Sequence, residues 1–167
     1  WSLVRGAGVV PYPWRLTAAR YLRVRIPLAA VFLDVDHFKR VNDCLGHAVG
    51  DDVLRTVASI LAKAIRETDT AVRYGGEEFL LVLPNCSEQG AAIFAERVRH
   101  LVERHDWSSC IPKERDMGVT ISLGVAGYEG GSIKVWIDRA DQAMYRAKKD
   151  GRNRTCRASQ LPDPQTD

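Results

Sequence analysis

Four carboxylates in the first half of the chain occur where they could hold a divalent cation. They are Asp34 and Asp36, within and after the apolar run PLAAVFLDV, and Glu77 and Glu78, directly after a Gly-Gly pair. Two such charges repel by about 1 kcal/mol at a separation of about 4 Å in water, and by about 4 kcal/mol at an effective dielectric of about 20. A hard cation removes this cost. Oxygen ligands without histidine or thiolate suit Mg²⁺ or Mn²⁺, which bind one or two carboxylates together with substrate phosphates.

Each motif alone also has an ordinary structural explanation. A D-x-D at a strand end is more often part of a turn than a metal site, and a Gly-Gly hairpin with exposed glutamates is often only a turn. Gly75 and Gly76 suit the positive φ angles of a two-residue hairpin turn, and without Cβ atoms they would let the backbone approach a phosphate closely. The P-loop pattern G-x-x-x-x-G-K-[ST] is absent, which excludes phosphate binding by that route.

Composition narrows the class of protein. With 167 residues, 46% of them hydrophobic and 27% charged, the chain is expected to form one compact domain. Its apolar runs are shorter than the roughly 20 residues of a membrane span, and its Arg-rich start does not resemble a signal peptide, so we expect a cytoplasmic location with no membrane contact. The chain begins at Trp1 rather than Met, which leaves open an upstream anchor or sensor domain in a longer protein. The net charge of +3 does not imply a nucleic-acid polymer as partner. The four cysteines form no C-x-x-C pair, so we expect reduced thiols.

Hydrophobic periodicity predicts the elements that must position the carboxylates. PLAAVFLDV has the length and composition of a central strand, and VTISLGVAGY alternates like a strand with one strongly apolar face. TAVRY and EFLLVL are expected to form a hairpin around the Gly-Gly pair. A short helical stretch and the loop GHAVG come between the first strand and the next helix. Helical spacing predicts helices over 51–66, 88–104 and 133–149, the last two with Ser87 and Ser132 as N-caps.

This order of elements predicts an α+β fold. A βα unit, a ββ hairpin and then αβα give a mostly antiparallel sheet packed with helices, the ferredoxin-like arrangement of nucleotide cyclases and polymerase palms. The hairpin tip would then lie beside the end of the first strand, so we expect the four carboxylates to meet at one edge of the sheet. Residues 1–25 are expected to be irregular and in part helical, and residues 158–167 to be disordered.

Four segments resemble the signature of GGDEF domains, the diguanylate cyclases. In order they are LDVDHFKRVNDCLGHAVGDDVL, RYGGEEF, TISLGVA and ADQAMYRAKKDGRNR. The resemblance covers Pro27 to about Arg154 and implies a catalytic domain over 26–157. It implies an enzyme that condenses two GTP into cyclic di-GMP and releases two pyrophosphates. Because each GTP must attack the α-phosphate of the other, it also implies a homodimer with two facing half-sites.

The resemblance further assigns roles to individual residues. Asp34 and Glu77, with the carbonyl of Val35, would hold two Mg²⁺ or Mn²⁺ ions, which lower the pKa of the attacking hydroxyl and stabilise the leaving pyrophosphate. Glu78 would help to ready the 3′-hydroxyl. The implied substrate contacts are guanine for Asn42 and Asp51, phosphates for Lys39, Lys148 and Arg152, and room for the nucleotide at Gly75 and Gly76. From the residues alone, favourable interaction with a helix C-terminus is the preferred explanation of Lys148 and Arg152.

A second site is implied by RETD, Arg66 to Asp69. At helical i, i+3 spacing an R-x-x-D is usually a modest surface ion pair. Cyclases of this family carry R-x-x-D at the same distance before GGDEF and bind cyclic di-GMP there as an inhibitor, and Arg97 matches a secondary arginine of that site. The resemblance therefore implies inhibition by the product.

The first 20 residues depart from the family, which usually opens with a D-x-L-T-G-L-x-N-R-R segment and its helix. WSLVRGAGVVPYPWRLTAAR does not match it. The alternative function is therefore a catalytically weak domain that binds GTP or cyclic di-GMP and acts as a receptor.

Overall fold

The computed structural model describes residues 26–115 and 117–161. The predictions made for residues 1–25 and for 162–167 lie outside the described residues. In the described part, five strands form one sheet, and four α-helices pack on it.

The sheet has the order β2-β3-β1-β4-β5. Its strands are β1 (Leu28–Val35), β2 (Thr70–Arg73), β3 (Glu78–Pro84), β4 (Ile121–Gly127) and β5 (Thr155–Arg157). Strand β1 lies at the centre and pairs antiparallel with both β3 and β4, whereas β4 and β5 are parallel. The mostly antiparallel α+β sheet is therefore confirmed, and PLAAVFLDV is its central strand. Strand β5 had not been predicted.

The helices are α1 (Phe38–Leu45), α2 (His47–Ala64), α3 (Glu88–Glu103) and α4 (Ile133–Lys149). Ser87 accepts a hydrogen bond from the Gly90 amide, and Ser132 accepts one from the Lys134 amide, so both predicted N-caps are confirmed. The predicted loop GHAVG is wrong, because only Gly46, at φ 86°, separates α1 from α2. Helix α2 also ends two residues before Arg66.

Two apolar layers cover the sheet, one on each face. Alternate residues of β1 divide between them: Val31 and Leu33 pack in the layer under α1, α2 and α3, and Ala30 and Phe32 pack in the layer under α4. Gly124 lets α4 approach β4, since a Cβ at this position would collide with the α4 backbone. The small residues that alternate along β4 thus form a second buried face.

The chain is ordered beyond the predicted domain end at residue 157. Ala158–Gln160 forms a 3₁₀ turn with Ala158 buried, and the Ser159 hydroxyl donates to Glu88 on α3 at 2.7 Å. The expectation of disorder from 158 onward is therefore wrong for these residues, because a buried apolar side chain and a charged acceptor hold them against the domain.

Candidate active site and a second cavity

The central strand and the neighbouring hairpin bring three carboxylates to one edge of the sheet. Asp34 is paired with Glu78 in the β1–β3 register, and the Val35 amide donates to the Glu77 carbonyl at 3.2 Å. The predicted meeting of Asp34, Glu77 and Glu78 is borne out as a juxtaposition. It follows from antiparallel pairing, which places the end of β1 beside the start of β3.

Asp34 is buried beside a lysine. Its side chain is 6% exposed, and the Lys148 ammonium lies 2.8 Å from its Oδ2 atom. Burial raises the pKa of Asp34 to about 6, although the hydrogen bond and charge of Lys148 oppose the shift. The nearby charges of Glu77 and Glu78 raise the pKa further. A positive charge beside Asp34 offsets part of this shift, and in this structure Lys148 supplies it.

Asp36 is not part of this acidic edge. Its buried carboxylate accepts hydrogen bonds from the hydroxyls of Thr120 (2.7 Å) and Ser122 (2.6 Å) and from the amide of Asn153 (3.1 Å). The expectation that it would join the other three carboxylates is wrong. Asp36 lies beyond the end of β1, and its carboxylate instead joins the start of β4 to the segment after α4.

The hairpin turn differs from the predicted one. Four residues, Tyr74 to Glu77, separate β2 from β3, and neither glycine has the positive φ that was expected. A Cβ on Gly75 would collide with the Glu78 carboxylate, whereas a Cβ on Gly76 would meet nothing within 4 Å. The Arg73 guanidinium donates to the Gly76 carbonyl at 2.9 Å and holds the turn. Space rather than φ thus explains Gly75, whereas Gly76 borders an open volume.

A cleft of about 440 Å³ opens beside this turn. The predicted substrate residues Lys39, Asn42 and Asp51 line it together with Gly76 and Glu77. Sequence reasoning missed five further lining residues: Phe38, Asp43, His47, Leu54 and Arg73. Three of these had a usable signal, because Phe38 stands one helical turn before Asn42, Leu54 three residues after Asp51, and Arg73 two residues before the predicted turn.

Gly50 on α2 leaves space for the Asn42 side chain on α1. A Cβ built on Gly50 would overlap the Asn42 carboxamide oxygen and would lie 3.2 Å from Phe38. The Asn42 carboxamide therefore occupies the space that a side chain at position 50 would need. The orientation of Asn42 in the cleft thus depends on a glycine of the neighbouring helix.

Two of the predicted phosphate contacts, Lys148 and Arg152, lie outside the residues that line the cleft. Lys148, on the last turn of α4, reaches Asp34. Arg152 lies beyond the helix at φ 64°, and its amide donates to the Ala147 carbonyl at 3.0 Å. The structure therefore brings Lys148 to the acidic edge and places Arg152 in the turn that follows α4.

The predicted inhibitory residues line a separate cavity of about 520 Å³. Arg66, Asp69 and Arg97 all border it, with Phe94 under the Arg97 guanidinium at 5.2 Å. RETD is a tight turn rather than a helix end, since the Asp69 amide donates to the Arg66 carbonyl and the Arg66 amide donates to the Asp69 carboxylate at 2.8 Å. The expected side-chain ion pair at helical spacing is therefore wrong, and the Asp69 carboxylate is held by backbone.

Over residues 26–115 and 117–161 no helix combines the length and the apolar character of a membrane span. No group of three or more His, Cys, Asp or Glu side chains in the same range could hold a metal ion. The four cysteines are free, as predicted.

A five-stranded sheet whose central strand ends at an acidic hairpin defines a domain of the nucleotide-cyclase type. The family model "Diguanylate cyclase, GGDEF domain" matches residues 16–154. The chain belongs to the GGDEF family.

Two solved structures and one curated relative illustrate the similarity. An active GGEEF domain of a diguanylate cyclase from Vibrio cholerae is 35% identical with a TM-score of 0.78, and the match covers 87% of this chain and 92% of that one. The GGDEF domain of DgcB from Caulobacter crescentus, solved in complex with c-di-GMP, is 33% identical with a TM-score of 0.78, covering 86% and 85%. Diguanylate cyclase A of Treponema denticola is 44% identical over 138 residues, which are 81% of this chain and 36% of that protein. The chain thus spans about a third of the length of this curated relative.

Proposed function

We propose that the chain is a diguanylate cyclase that condenses two GTP into cyclic di-GMP and releases two pyrophosphates. The observation that carries the proposal is the acidic edge, where the buried Asp34 lies beside Glu77 and Glu78, and Glu77 also lines a cleft of nucleotide size. Family membership and relatives named diguanylate cyclase support the same reaction.

Asp34, Glu77 and the Val35 carbonyl would hold Mg²⁺ or Mn²⁺, two ions in each active site. The donor set fits, because these are hard oxygen ligands, and two carboxylates with substrate phosphates suffice for magnesium. The buried Asp34 already takes a cationic partner in Lys148. When bound, the ions would lower the pKa of the attacking hydroxyl and neutralise charge on the phosphates.

The side chains of the chain itself would bind and orient GTP. Asn42 and Asp51 line the cleft and would read the guanine edge, since a carboxylate can accept from N1–H and N2–H₂ of guanine but finds no such donor pair on adenine. Gly76 leaves the open volume that phosphates would enter, and Lys39 lies on the same wall. Lys148 would move from Asp34 to the phosphates once a metal neutralises that carboxylate.

Glu78 would accept the proton of the 3′-hydroxyl. Burial raises the pKa of Glu78, and the neighbouring charge of Asp141 raises it further. A carboxylate with a raised pKa is a stronger base at neutral pH. Each site would hold one GTP, so two chains must face each other across a two-fold axis for both bonds to form.

Product synthesis at different protein concentrations tests this function. The chain is incubated with GTP and Mg²⁺, and the products are separated by chromatography. We expect cyclic di-GMP, at a rate that rises with the square of protein concentration while the dimer is scarce. Glu77→Gln removes one metal-binding carboxylate and should abolish turnover. A wild-type chain that binds GTP but makes no cyclic dinucleotide at high concentration would reject the cyclase and favour the receptor.

We also propose that cyclic di-GMP inhibits the enzyme by binding in the second cavity. Support comes from its lining, where two arginines and a carboxylate can pair with guanine edges and Phe94 adds an aromatic surface. Arg66→Ala should raise the product concentration needed for half-inhibition by about ten-fold or more, as expected when a charged hydrogen-bonding group is lost. The rate without product should not change. Unchanged inhibition would place the inhibitory product elsewhere, for example in the active site.

A further inference from the structure

The turn after α4 has an unusual backbone. Gly151, Arg152 and Asn153 all have positive φ, at 114°, 64° and 45°. Glycine adopts such angles freely, but arginine and asparagine do so only when surrounding contacts enforce them. Conformations of this kind often occur where a side chain must be aimed at a ligand.

Asn153 supplies the contacts that enforce this turn. Its amide donates to the buried carboxylate of Asp36 at 3.1 Å. Its side-chain oxygen accepts from Arg99 at 2.8 Å, and its side-chain nitrogen donates to Glu103 at 2.6 Å. One residue is thereby fixed by the end of β1 and by α3.

The partners of Asn153 are themselves held in place. Arg99 is 8% exposed, and its guanidinium also bonds Glu96 at 3.0 Å and Glu103 at 3.1 Å. Asp36 is fixed by two hydroxyls before and within β4. The network therefore joins the end of β1, the start of β4 and α3 to the turn, through the buried side chains of Asp36 and Arg99 and the partly exposed side chain of Glu103.

We propose that Asn153, clamped between Asp36 and the Arg99–Glu103 pair, is a positioning residue for the Arg152 guanidinium that receives the phosphates of GTP. This inference rests on the proposed function and on the phosphate contact that the family resemblance implies for Arg152. Arg152 directly precedes Asn153, so the clamp sets the direction in which its side chain leaves the backbone. Asp36 lies two residues after Asp34, so the clamp also ties Arg152 to the strand that carries the metal-binding carboxylate.

Exchanging the amide and the carboxylate between positions 153 and 103 provides the test. Asn153→Asp keeps an acceptor for Arg99 but brings a second carboxylate against Glu103. Adding Glu103→Gln restores a donor and an acceptor between the two positions. Glu129→Gln is the matched control, because Glu129 is also an exposed partner of an arginine, Arg139, on the far end of α4.

Three quantities are measured for each variant: hydrogen exchange of the amides from 151 to 154, KM for GTP, and kcat from pyrophosphate release. For Asn153→Asp we expect exchange to be about ten-fold faster and KM about ten-fold higher, with kcat within about three-fold of wild type, because a phosphate contact is weakened equally in the ground and transition states. The double variant should return both values to within about three-fold of wild type, and the control should not change them. If Asn153→Asp does not fold, Asn153→Gly, which tolerates the turn without strain, should show the same rise in KM.

Faster exchange with unchanged KM would overturn the positioning role, and unchanged exchange would overturn the clamp. Failure of the double variant to recover would also overturn it. If the wild-type chain binds GTP without making cyclic di-GMP, the proposed reaction fails. The clamp is then tested by calorimetry, in which Asn153→Asp should bind GTP about ten-fold more weakly than wild type. If the wild type binds no GTP, both proposals fail.

Discussion

Replacing Asp34 by asparagine should stabilise the protein while removing its metal site. The pKa of this carboxyl rises from 3.8 to about 6 on folding, mainly because of burial. A folded-state pKa above the unfolded value means that the Asp34 contribution to stability is intact below pH 3.8 and is lost as the pH rises through about 6. Above that pH the ionised carboxylate costs up to about 3 kcal/mol, from 1.36 kcal/mol per pH unit. Asp34→Asn avoids this cost because asparagine carries no charge.

Without metal, the difference in free energy of unfolding between Asp34→Asn and wild type should widen by about 2 kcal/mol between pH 4.5 and pH 7.5. Lys148 loses its partner in the variant, but its side chain is 27% exposed and can be hydrated, so the gain is reduced rather than cancelled. Urea unfolding of both proteins in EDTA, followed by the fluorescence of buried Trp107 and Trp136, measures this difference in free energy.

Magnesium provides the second arm of this experiment. At about 100 times its Kd, Mg²⁺ should stabilise the wild type by about 2.7 kcal/mol and leave Asp34→Asn unchanged. If, without metal, the difference in free energy of unfolding between Asp34→Asn and wild type is the same at every pH, the burial argument for Asp34 is refuted. A variant that Mg²⁺ stabilises as much as wild type would refute the role of Asp34 as a metal ligand.

Three further substitutions add a methyl group at a glycine and test the space around it. Gly50→Ala should raise KM for GTP by about ten-fold, because the new methyl group displaces the Asn42 carboxamide, and a wild-type KM would contradict this. Gly76→Ala should leave the melting temperature unchanged, since its methyl group meets nothing within 4 Å, but should slow turnover where phosphates need the space; a large loss of stability would argue against that reading. Gly124→Ala should lower the free energy of unfolding by about 2–4 kcal/mol in urea because it pushes α4 off β4, and a change below about 0.5 kcal/mol would show that the helix shifts freely.

Much of the fold was predictable because the hydrophobic patterns of the helices and strands are strong. The uniform burial of β1 follows from its continuous apolar run, and the boundaries of α3 and α4 follow from apolar spacing bounded by Ser87 and Ser132. Strand β5 was not predictable in this way, because Thr155–Arg157 is three residues long and half-buried, and only its parallel neighbour defines it. The RETD turn was misread because an i, i+3 spacing fits a tight turn as well as a helix.

The candidate site was predictable in its residues more than in its contacts. Asp34, Glu77 and Glu78 converge because strand pairing brings them together, and pairing can be inferred from the order of elements. The separation of Asp36 from them depends on partners more than 80 positions away, Thr120 and Ser122. No local pattern contains that information, and the same is true of the Asn153 clamp.

The account depends on the acidic edge holding cations under the phosphates of GTP, and a crystal structure of the chain with a non-hydrolysable GTP analogue and Mg²⁺ tests this directly. We predict metal density between Asp34 and Glu77, with the Lys148 ammonium moved from Asp34 to a phosphate oxygen and guanine beside Asn42 and Asp51. An analogue bound with Lys148 still on Asp34, and no ion between the carboxylates, would contradict the account.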